Sequence, residues 1–360
     1  MNRMTLDPMI IEKNPCVREA LQYEKKDDKK VQCGVCERRC IIAPGKRGFC
    51  GARANLDGQL YILTYGDISS INSNPIEKKP FYHFYPGTRA LTIGSWGCNA
   101  ACPWCQNWSI SKHHPDPTRC KHLSPDRFVS EVKRSGCQGT SFSFNEPVTA
   151  FFEYSLDVMP KAHAAGFYNT FVSNGYMTPA SLERLASAGL DAINIDIKGC
   201  QANVRKYCHL DVEKVWRNAK HALDLGIWVE ITTLVIPDMN DSSQCLSSIA
   251  HRIHNDLGAD VPWHLSAYFP QYQAEKYGLT KATPLATLER AHSIGREAGL
   301  HYVYLGNVQN HPYEHSYCKK CGELLIRRRG YDITFVLLNA NNQCSNCNES
   351  NPFILSNKSD

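Results

Sequence analysis

The sequence lacks long hydrophobic runs. No stretch approaches the ~20 apolar residues of a membrane-spanning helix, and Met1 to Asp7 contain no apolar signal-like run. The sequence also has no large excess of one charge. It contains 40 Lys and Arg residues and 35 Asp and Glu residues, which give a formal net charge of +5. This small positive charge does not by itself indicate a nucleic-acid partner. Long low-complexity segments are absent as well. We therefore expect a soluble, cytoplasmic protein with no membrane partner, built as one large domain with small appendages.

Cysteine is the residue that stands out. Seventeen cysteines are many for a reducing compartment, where clustered cysteines indicate metal or redox chemistry more often than disulfides. Most fall into three groups, which are Cys33, Cys36, Cys40 and Cys50; Cys98, Cys102 and Cys105; and Cys318, Cys321, Cys344 and Cys347. The scattered ones are interpreted as small buried hydrophobic residues, namely Cys16, Cys120, Cys137, Cys200, Cys208 and Cys245.

The central region alternates short apolar runs with amphipathic stretches. The predicted strands are 90–95, 140–144, 169–173, 192–197, 228–236, 262–269 and 301–305. The predicted helices are 125–136, 149–165, 179–188, 211–225, 242–257 and 284–298, with caps at Ser124-Pro125, Thr178-Pro179 and Thr283-Pro284. Repeated strand–helix units predict an α/β fold whose parallel sheet is open or rolled into a partial barrel. We expect three regions, a cysteine-rich segment 1–88, a core 89–307 and a module 308–360.

The most informative segment is Cys98-Asn-Ala-Ala-Cys102-Pro-Trp104-Cys105, directly after strand 90–95. Reactive groups of strand–helix barrels lie at the carboxyl ends of strands. Three thiolates on a four-iron cluster leave one iron open to an exogenous ligand. The alternative is a structural zinc loop completed by a distant cysteine or histidine. The spacing, with Trp104 before the third cysteine, resembles the signature of the radical S-adenosylmethionine (SAM) superfamily, which implies a partial (βα)6 TIM-type barrel, a 4Fe–4S cluster and bound SAM.

Two polar segments at strand ends fit this resemblance. Asn145 and Glu146 resemble the superfamily motif that receives the SAM ammonium group, although Phe144 stands where a glycine is common. The alternative is that this Asn-Glu-Pro segment only caps the next helix. Asn174 ends strand 169–173 and is a further candidate for contact with SAM.

Strand 192–197 alternates isoleucines with polar residues. Asp196-Ile-Lys198 resembles the Asp-Leu-Lys of glycyl-radical-enzyme activases, which implies that Lys198 pairs with the SAM carboxylate. The alternative is an internal Asp196–Lys198 pair. His264 resembles an activase histidine that touches the SAM ribose, and its alternative is a satisfied core residue.

The resemblance implies one-electron chemistry. A donor such as flavodoxin or ferredoxin reduces the cluster, and SAM is cleaved to methionine and a 5′-deoxyadenosyl radical that abstracts hydrogen from a substrate. The cofactors carry this chemistry, and the protein supplies orientation and excludes water.

The outer cysteine groups predict two further metal sites. Cys318-Lys-Lys-Cys321 and Cys344-Ser-Asn-Cys347 form a zinc-ribbon pattern that supplies four thiolates. The N-terminal group of Cys33, Cys36, Cys40 and Cys50 also offers four ligands. Zinc is our prediction for both groups, and an additional iron–sulfur cluster is the alternative for each.

The order of parts resembles one family within the superfamily, the radical SAM member of the AmmeMemoRadiSam system, which is related to pyruvate formate-lyase activating enzymes. The segments that carry this resemblance include 75–80 (PIEKKP), 84–87 (FYPG), 105–111 (CQNWSIS), 145–147 (NEP) and 173–176 (SNGY). It implies AMMECR1-type and Memo-type protein partners. Two alternatives are a glycyl-radical-enzyme activase and an RNA-binding or RNA-modifying ribbon protein that uses Arg327, Arg328 and Arg329, a run that we otherwise interpret as a solvated face.

Overall fold

The computed structural model describes residues 14–339 and 341–355. This part of the chain forms two compact units. The first contains residues up to 73, 91–101 and 105–191, and the second contains 74–90, 102–104 and the residues from 192 onward. The division at 88/89 and 307/308 stays a prediction. No helix within the described ranges is long and apolar enough to cross a membrane.

The first unit begins with two small antiparallel sheets. The strands are β1 (Arg18–Glu19), β2 (Tyr23–Lys25), β3 (Val31–Cys33), β4 (Ile41–Ile42), β5 (Arg53–Leu56) and β6 (Gln59–Ile62). Their orders are β1-β6-β5 and β2-β3-β4. The connection from β3 to β4 carries Cys36 and Cys40, and the backbone N–H of Cys33 donates to the Cys40 carbonyl at 2.9 Å. This hairpin therefore folds three of the N-terminal cysteines toward one another.

The remaining strands of the first unit belong to a larger sheet with the order β10-β9-β8-β7. They are β7 (Ser70–Pro75), β8 (Arg89–Gly94), β9 (Gly139–Phe142) and β10 (Tyr168–Ser173), with residues 74–75 and 89–90 counted in the second unit. β9 and β10 pair in parallel. The helices of this unit are α1 (Trp108–Ser111), α2 (Pro125–Arg134), α3 (Pro147–Ala164) and α4 (Pro179–Ala188).

The second unit contains four parallel strands in the order β14-β13-β12-β11. They are β11 (Ala192–Asp196), β12 (Trp228–Val235), β13 (Trp263–Ala267) and β14 (Val303–Gly306). The helices are α5 (Gln201–Asn203), α6 (Val212–Asp224), α7 (Ser243–Arg252) and α8 (Leu285–Glu297), and wider π-type turns follow α5 and α7. A small antiparallel sheet closes the unit, made of β15 (Ser316–Tyr317), β16 (Leu324–Arg329) and β17 (Asp332–Val336).

Local capping signals determine where most helices begin. The side chains of Ser124 and Thr178 accept backbone N–H groups in the first turns of α2 and α4, with proline at the first helical position. The predicted cap at Thr283 is wrong. Its hydroxyl instead donates to the Val235 carbonyl at 2.6 Å and accepts the Tyr268 N–H at 2.8 Å, so α8 begins without a side-chain cap.

The predicted α/β class with a parallel sheet is confirmed, and no strand pairing within the described residues closes a complete barrel. The interpretation of the arginine run as a solvated face is wrong for its middle residue. Arg328 is buried, and its guanidinium donates to the Tyr82 carbonyl at 2.7 Å and to Ser316 Oγ at 2.8 Å. Arg328 therefore helps to dock the small C-terminal sheet within the second unit.

Candidate active site and metal centres

The cysteine loop leaves β8 through a turn that Asn145 holds. Its amide nitrogen donates to the Gly97 carbonyl at 2.8 Å, and its amide oxygen accepts the Ser95 N–H at 2.9 Å. Gly97 has φ of 82°, and a Cβ atom there would lie 2.1 Å from the Cys50 carbonyl oxygen, so no other residue fits. Asn145 thus positions the backbone that leads into Cys98.

Glu146 lies at the start of α3 and is buried. One carboxylate oxygen accepts the Ser173 hydroxyl at 2.7 Å and the Val148 N–H at 3.3 Å, and the other accepts the Asn174 N–H at 2.8 Å. This is the helix-capping arrangement that we held as the alternative. A contact between Glu146 and the SAM ammonium group stays a prediction.

Asn174 connects this network to the first cysteine of the loop. Its amide nitrogen donates to Asn99 Oδ1 at 2.7 Å and lies 4.0 Å from Cys98 Sγ. The Ala100 N–H lies 3.4 Å from the same sulfur. N–H groups directed at a sulfur favour its thiolate form, which is the form that binds metal.

Phe144 also shapes the loop, and its role was not predicted. It has φ of 68°, a left-handed conformation that bulky residues rarely adopt, and its carbonyl accepts the Asn107 amide at 2.7 Å. A Cβ atom on Gly94 would approach the Phe144 ring to 2.9 Å. One feature of the sequence could have indicated this conformation. The superfamily motif commonly has a glycine at the position of Phe144, and glycine adopts positive φ without strain.

In the second unit, Cys102 lies beside a thiol and a cation. Its sulfur is 3.5 Å from Cys208 Sγ, and both residues are buried. Lys198 pairs with Asp196, as in our alternative. Burial opposes the charge of Lys198, but Asp196 and the two sulfurs keep its pKa well above the usual value. Cys208, which we interpreted only as a buried hydrophobic residue, is therefore a neighbour of the cysteine loop.

Trp104 occupies a buried position in the same unit. Its ring lies 6.0 Å from that of Tyr207, one residue before Cys208. The aromatic pair packs the end of the loop against the π-type turn that follows α5.

The polar face of β11 and β12 carries atoms that fit a polar ligand. Asn194 Oδ1, Asp196 Oδ1 and Thr232 Oγ1 are buried and have no hydrogen-bond partner among the described residues. Asp196 is in register with Thr232 on the neighbouring strand, and Asn194 lies two residues earlier on the same face. Because nearly all buried polar atoms in folded proteins are paired, this face suits a ligand that donates hydrogen bonds.

His264 pairs with a buried carboxylate on the neighbouring strand. Its Nε2 lies 2.7 Å from a Glu230 carboxylate oxygen, and Glu230 also accepts the backbone N–H groups of Tyr82 and His83 at 3.0 Å each. Both residues of the pair are buried, and the His264 ring contacts the Tyr82 and Tyr304 rings. His264 therefore has the contacts expected of a satisfied core residue, as in our alternative, and a contact with the SAM ribose stays a prediction.

The four N-terminal cysteines line one cavity of the first unit. The residues that share the cavity wall include Cys33, Cys36, Cys40, Cys50, Arg38, Arg53 and Asn99. Burial raises the pKa of the Cys33 and Cys36 thiols, and it raises the pKa of Cys50 to about 11. Backbone N–H groups two residues further along the chain oppose this rise at each of the three. A bound cation would release the thiol protons.

The C-terminal cysteines form a compact group. The sulfurs of Cys318, Cys321, Cys344 and Cys347 all lie within 4.8 Å of one another. The Sγ atom of Cys318 lies 3.6 Å from that of Cys347, and the Sγ atom of Cys321 lies 3.7 Å from that of Cys344. Tetrahedral zinc with Zn–S bonds of about 2.3 Å places its sulfurs about 3.8 Å apart. These four residues therefore fit a single ion.

Two matching turns build this group. Each pair of cysteines is followed by a residue with positive φ, Gly322 at 74° and Asn348 at 58°. Their N–H groups donate to the carbonyls of the first cysteine of each pair, at 3.0 Å in one turn and 2.8 Å in the other. Glycine and asparagine are the residues that tolerate this conformation best.

Comparisons with known proteins identify the family. Residues 93–244 match the family model of the radical SAM superfamily. An uncharacterized protein of Methanocaldococcus jannaschii is 40% identical over 340 residues, which are 94% of this chain and all of that protein. A second uncharacterized protein of the same organism is 24% identical over 286 residues, 76% of each chain.

Solved structures show weaker similarity. A radical SAM methyltransferase from Sphaerobacter thermophilus has a TM-score of 0.48 and 13% identity, covering 86% of this chain and 81% of that one. A domain of a pyruvate-formate lyase-activating enzyme from Bacteroides vulgatus has a TM-score of 0.40 and 14% identity, covering 47% and 99%.

The matched region contains the cysteine loop, the Asn145–Glu146 segment, Asn174 and Lys198. The first relative aligns with nearly the whole chain. The chain belongs to the radical SAM superfamily.

Proposed function

We propose that this protein binds a 4Fe–4S cluster through Cys98, Cys102 and Cys105 and cleaves SAM reductively. The observation that carries the proposal is a three-cysteine loop at a strand end. Asn145 holds the backbone that leads into the loop, and the Ala100 N–H and the Asn174 amide lie near Cys98 Sγ. When bound, the cluster and SAM supply one-electron cleavage to methionine and a 5′-deoxyadenosyl radical, as is general for the superfamily.

The residues of the second unit bind and orient SAM in this proposal. Lys198 meets the SAM carboxylate, while the free oxygen of Asp196 accepts donors of SAM. The positive charge of Lys198 also offsets the thiolate of Cys102. Glu146 acts as a positioning residue through Asn174, since its own carboxylate already accepts three hydrogen bonds.

The first experiment measures 5′-deoxyadenosine. Anaerobic, iron-loaded, dithionite-reduced protein is incubated with SAM, and the nucleoside is quantified. Cys102→Ala should abolish its formation because one ligand is lost. Cys208→Ser removes the neighbouring buried thiol and should leave formation within about twofold, because Cys208 does not ligate the cluster. A cluster spectrum that SAM does not change, or equal losses in both variants, contradicts the proposal.

The proposed partners are proteins of the AMMECR1 and Memo types, with a flavodoxin or ferredoxin as electron donor. Support comes from two segments that carry the family resemblance, 75–80 and 84–87, which contact each other. Buried Glu77 of the first string accepts the Gly87 N–H of the second at 2.8 Å. Purified partner proteins should bind this chain and increase nucleoside formation with flavodoxin. Nucleoside formation that depends instead on a protein with a glycyl-radical site would favour the activase alternative.

The RNA-binding alternative loses its basis at the arginine run. Arg328 is internal, and Arg327 lies over the Phe335 ring at 5.7 Å, so the run does not form a continuous basic surface. Salt-dependent binding of RNA would restore this alternative.

We further propose zinc at the C-terminal cysteine group. The sulfur separations fit one tetrahedral ion, and the surrounding core is small, formed by Leu325, Ile326 and Phe353 with the cysteines. A structural metal stabilises a module whose own core is too small.

A further inference from the structure

The N-terminal and C-terminal cysteine groups differ in geometry. The C-terminal sulfurs all lie within 4.8 Å of one another, whereas no three metal-binding atoms of Cys33, Cys36, Cys40 and Cys50 meet that limit in the described part of the chain. A single tetrahedral ion requires sulfurs about 3.8 Å apart. A four-iron cluster binds each of its four thiolates through a different iron and therefore holds them further apart. The wider spacing favours a polynuclear occupant.

The wall of the cavity that the four cysteines line also carries hydrogen-bond donors that are unpaired within the part of the chain that the structure describes. Two buried nitrogen donors on this wall, Arg53 Nε and Asn99 Nδ2, have no hydrogen-bond partner among residues 14–339 and 341–355. Buried polar atoms without partners are rare and point to a missing acceptor. The two donors thus mark the cavity as a site for something that accepts N–H groups.

The donors are held in place. The two terminal nitrogens of Arg53 donate to Glu153 at 2.7 and 2.6 Å, which leaves Nε for the cavity. Asn99 accepts the Asn174 amide with its side-chain oxygen, which leaves its amide nitrogen free. Inorganic sulfides of a cluster accept N–H groups, and such hydrogen bonds tune its potential. A mononuclear zinc site contains no sulfide.

The geometry points to a second iron–sulfur cluster bound by Cys33, Cys36, Cys40 and Cys50, with its sulfides hydrogen-bonded by Arg53 and Asn99. This is the alternative that the cysteine spacing left open, and it replaces zinc at this group. All four thiolates come from the protein, so this cluster has no open iron and does not bind SAM. Asn99 directly follows Cys98, so the site adjoins the loop of the proposed SAM-binding cluster.

The test counts iron, sulfide and zinc in anaerobically reconstituted full-length protein. The unmodified protein should hold about eight irons and eight sulfides for two four-iron clusters, with about one zinc. Cys36→Ala/Cys50→Ala should lose half of the iron and keep the zinc, which also reports that the C-terminal module is folded. The control Cys137→Ser removes a buried thiol outside the three groups and should lose none. Iron retained by the double variant together with loss of zinc overturns the inference.

A second variant separates this inference from the proposed function. Cys98→Ala/Cys102→Ala/Cys105→Ala should keep the N-terminal cluster, with a reduced electron paramagnetic resonance signal that SAM does not alter. If this triple variant retains all iron of the unmodified protein, the proposed function fails. If it retains none, the N-terminal cluster fails. If the double variant does not fold, Cys40→Ser is added to the triple variant. This change exchanges one partly exposed ligand and should shift the electron paramagnetic resonance signal of the N-terminal cluster.

Discussion

Removal of the Glu153 charge tests how the first unit tolerates a buried cation. Arg53 and Glu153 form a two-fold hydrogen-bonded pair, with side chains only 2% and 4% exposed. Burial alone would lower the pKa of Arg53, yet Glu153 more than offsets this effect and holds it above the usual value. Glu153→Gln keeps the shape of the side chain but leaves Arg53 charged without its partner.

The expected cost is about 3–5 kcal/mol of unfolding free energy, the range for breaking a buried ion pair from one side. Coulomb's law agrees, since two unit charges 4 Å apart interact by about 4 kcal/mol at an effective dielectric constant of 20. Glutamine also replaces one carboxylate oxygen with an amide nitrogen, which cannot accept from Arg53, and this lowers stability further. The remaining amide oxygen can still accept the Leu21 N–H, which lies 3.2 Å from the Glu153 carboxylate.

Urea unfolding followed by circular dichroism measures this loss against two controls. Asp57→Asn breaks the exposed pair with Lys29, whose side chains are 64% and 80% exposed, and should change stability far less. Arg53→Met/Glu153→Met removes both charges and should recover much of the loss. A Glu153→Gln protein as stable as Asp57→Asn would refute the reasoning.

Three further predictions address the loop, the pH dependence and the C-terminal metal. Asn145→Ala leaves the Ser95 N–H and Gly97 carbonyl without partners, at about 1–3 kcal/mol each, and should slow nucleoside formation more than Asn145→Asp, which retains the acceptor; equal rates would contradict the positioning role. Burial lowers the pKa of His83 from 6.5 to about 4. The free energy of unfolding should therefore fall by up to about 3 kcal/mol as the pH drops from 6.5 toward 4. Urea titrations at several pH values should show that His83→Gln removes this part of the pH dependence. Cys344→Ser should lose about one zinc per chain with unchanged iron, and metal analysis that finds iron lost instead would reject zinc there.

Much of the core follows from local signals in the sequence. Helix 179–188 was predicted with the bounds that α4 has, because Thr178 caps its start and Gly189, with φ of 103°, ends it. The short strands β1 to β6 were largely missed, since pieces of two to four residues carry too little alternation and are defined by pairing with distant segments.

The candidate site also contains features that follow from local sequence and features that depend on distant contacts. Cysteine spacing is local, so the sequence identifies the three candidate metal-binding groups. The neighbourhood of Cys102 and Cys208 depends on a contact across 106 residues, and the Asn174–Asn99 bond spans 75. The pairing of His264 with Glu230 also arises only when β12 and β13 align. The proposed occupant of the N-terminal group depends on how its cysteines are placed in three dimensions, which spacing along the chain does not determine.

The attachment of segment 351–354 to residues 82–85 has a consequence for synthesis. The His83 ring bonds the Pro352 carbonyl across 269 residues and stacks on Phe353 at 4.0 Å. At ribosomal rates of about 5–20 residues per second, roughly 13–54 s pass between the synthesis of His83 and that of Pro352. The second unit therefore cannot complete its core before residues 351–354 have been synthesised, and until then a nascent chain exposes the aromatic segment 82–85. We expect chaperone binding to concentrate on this segment during that interval.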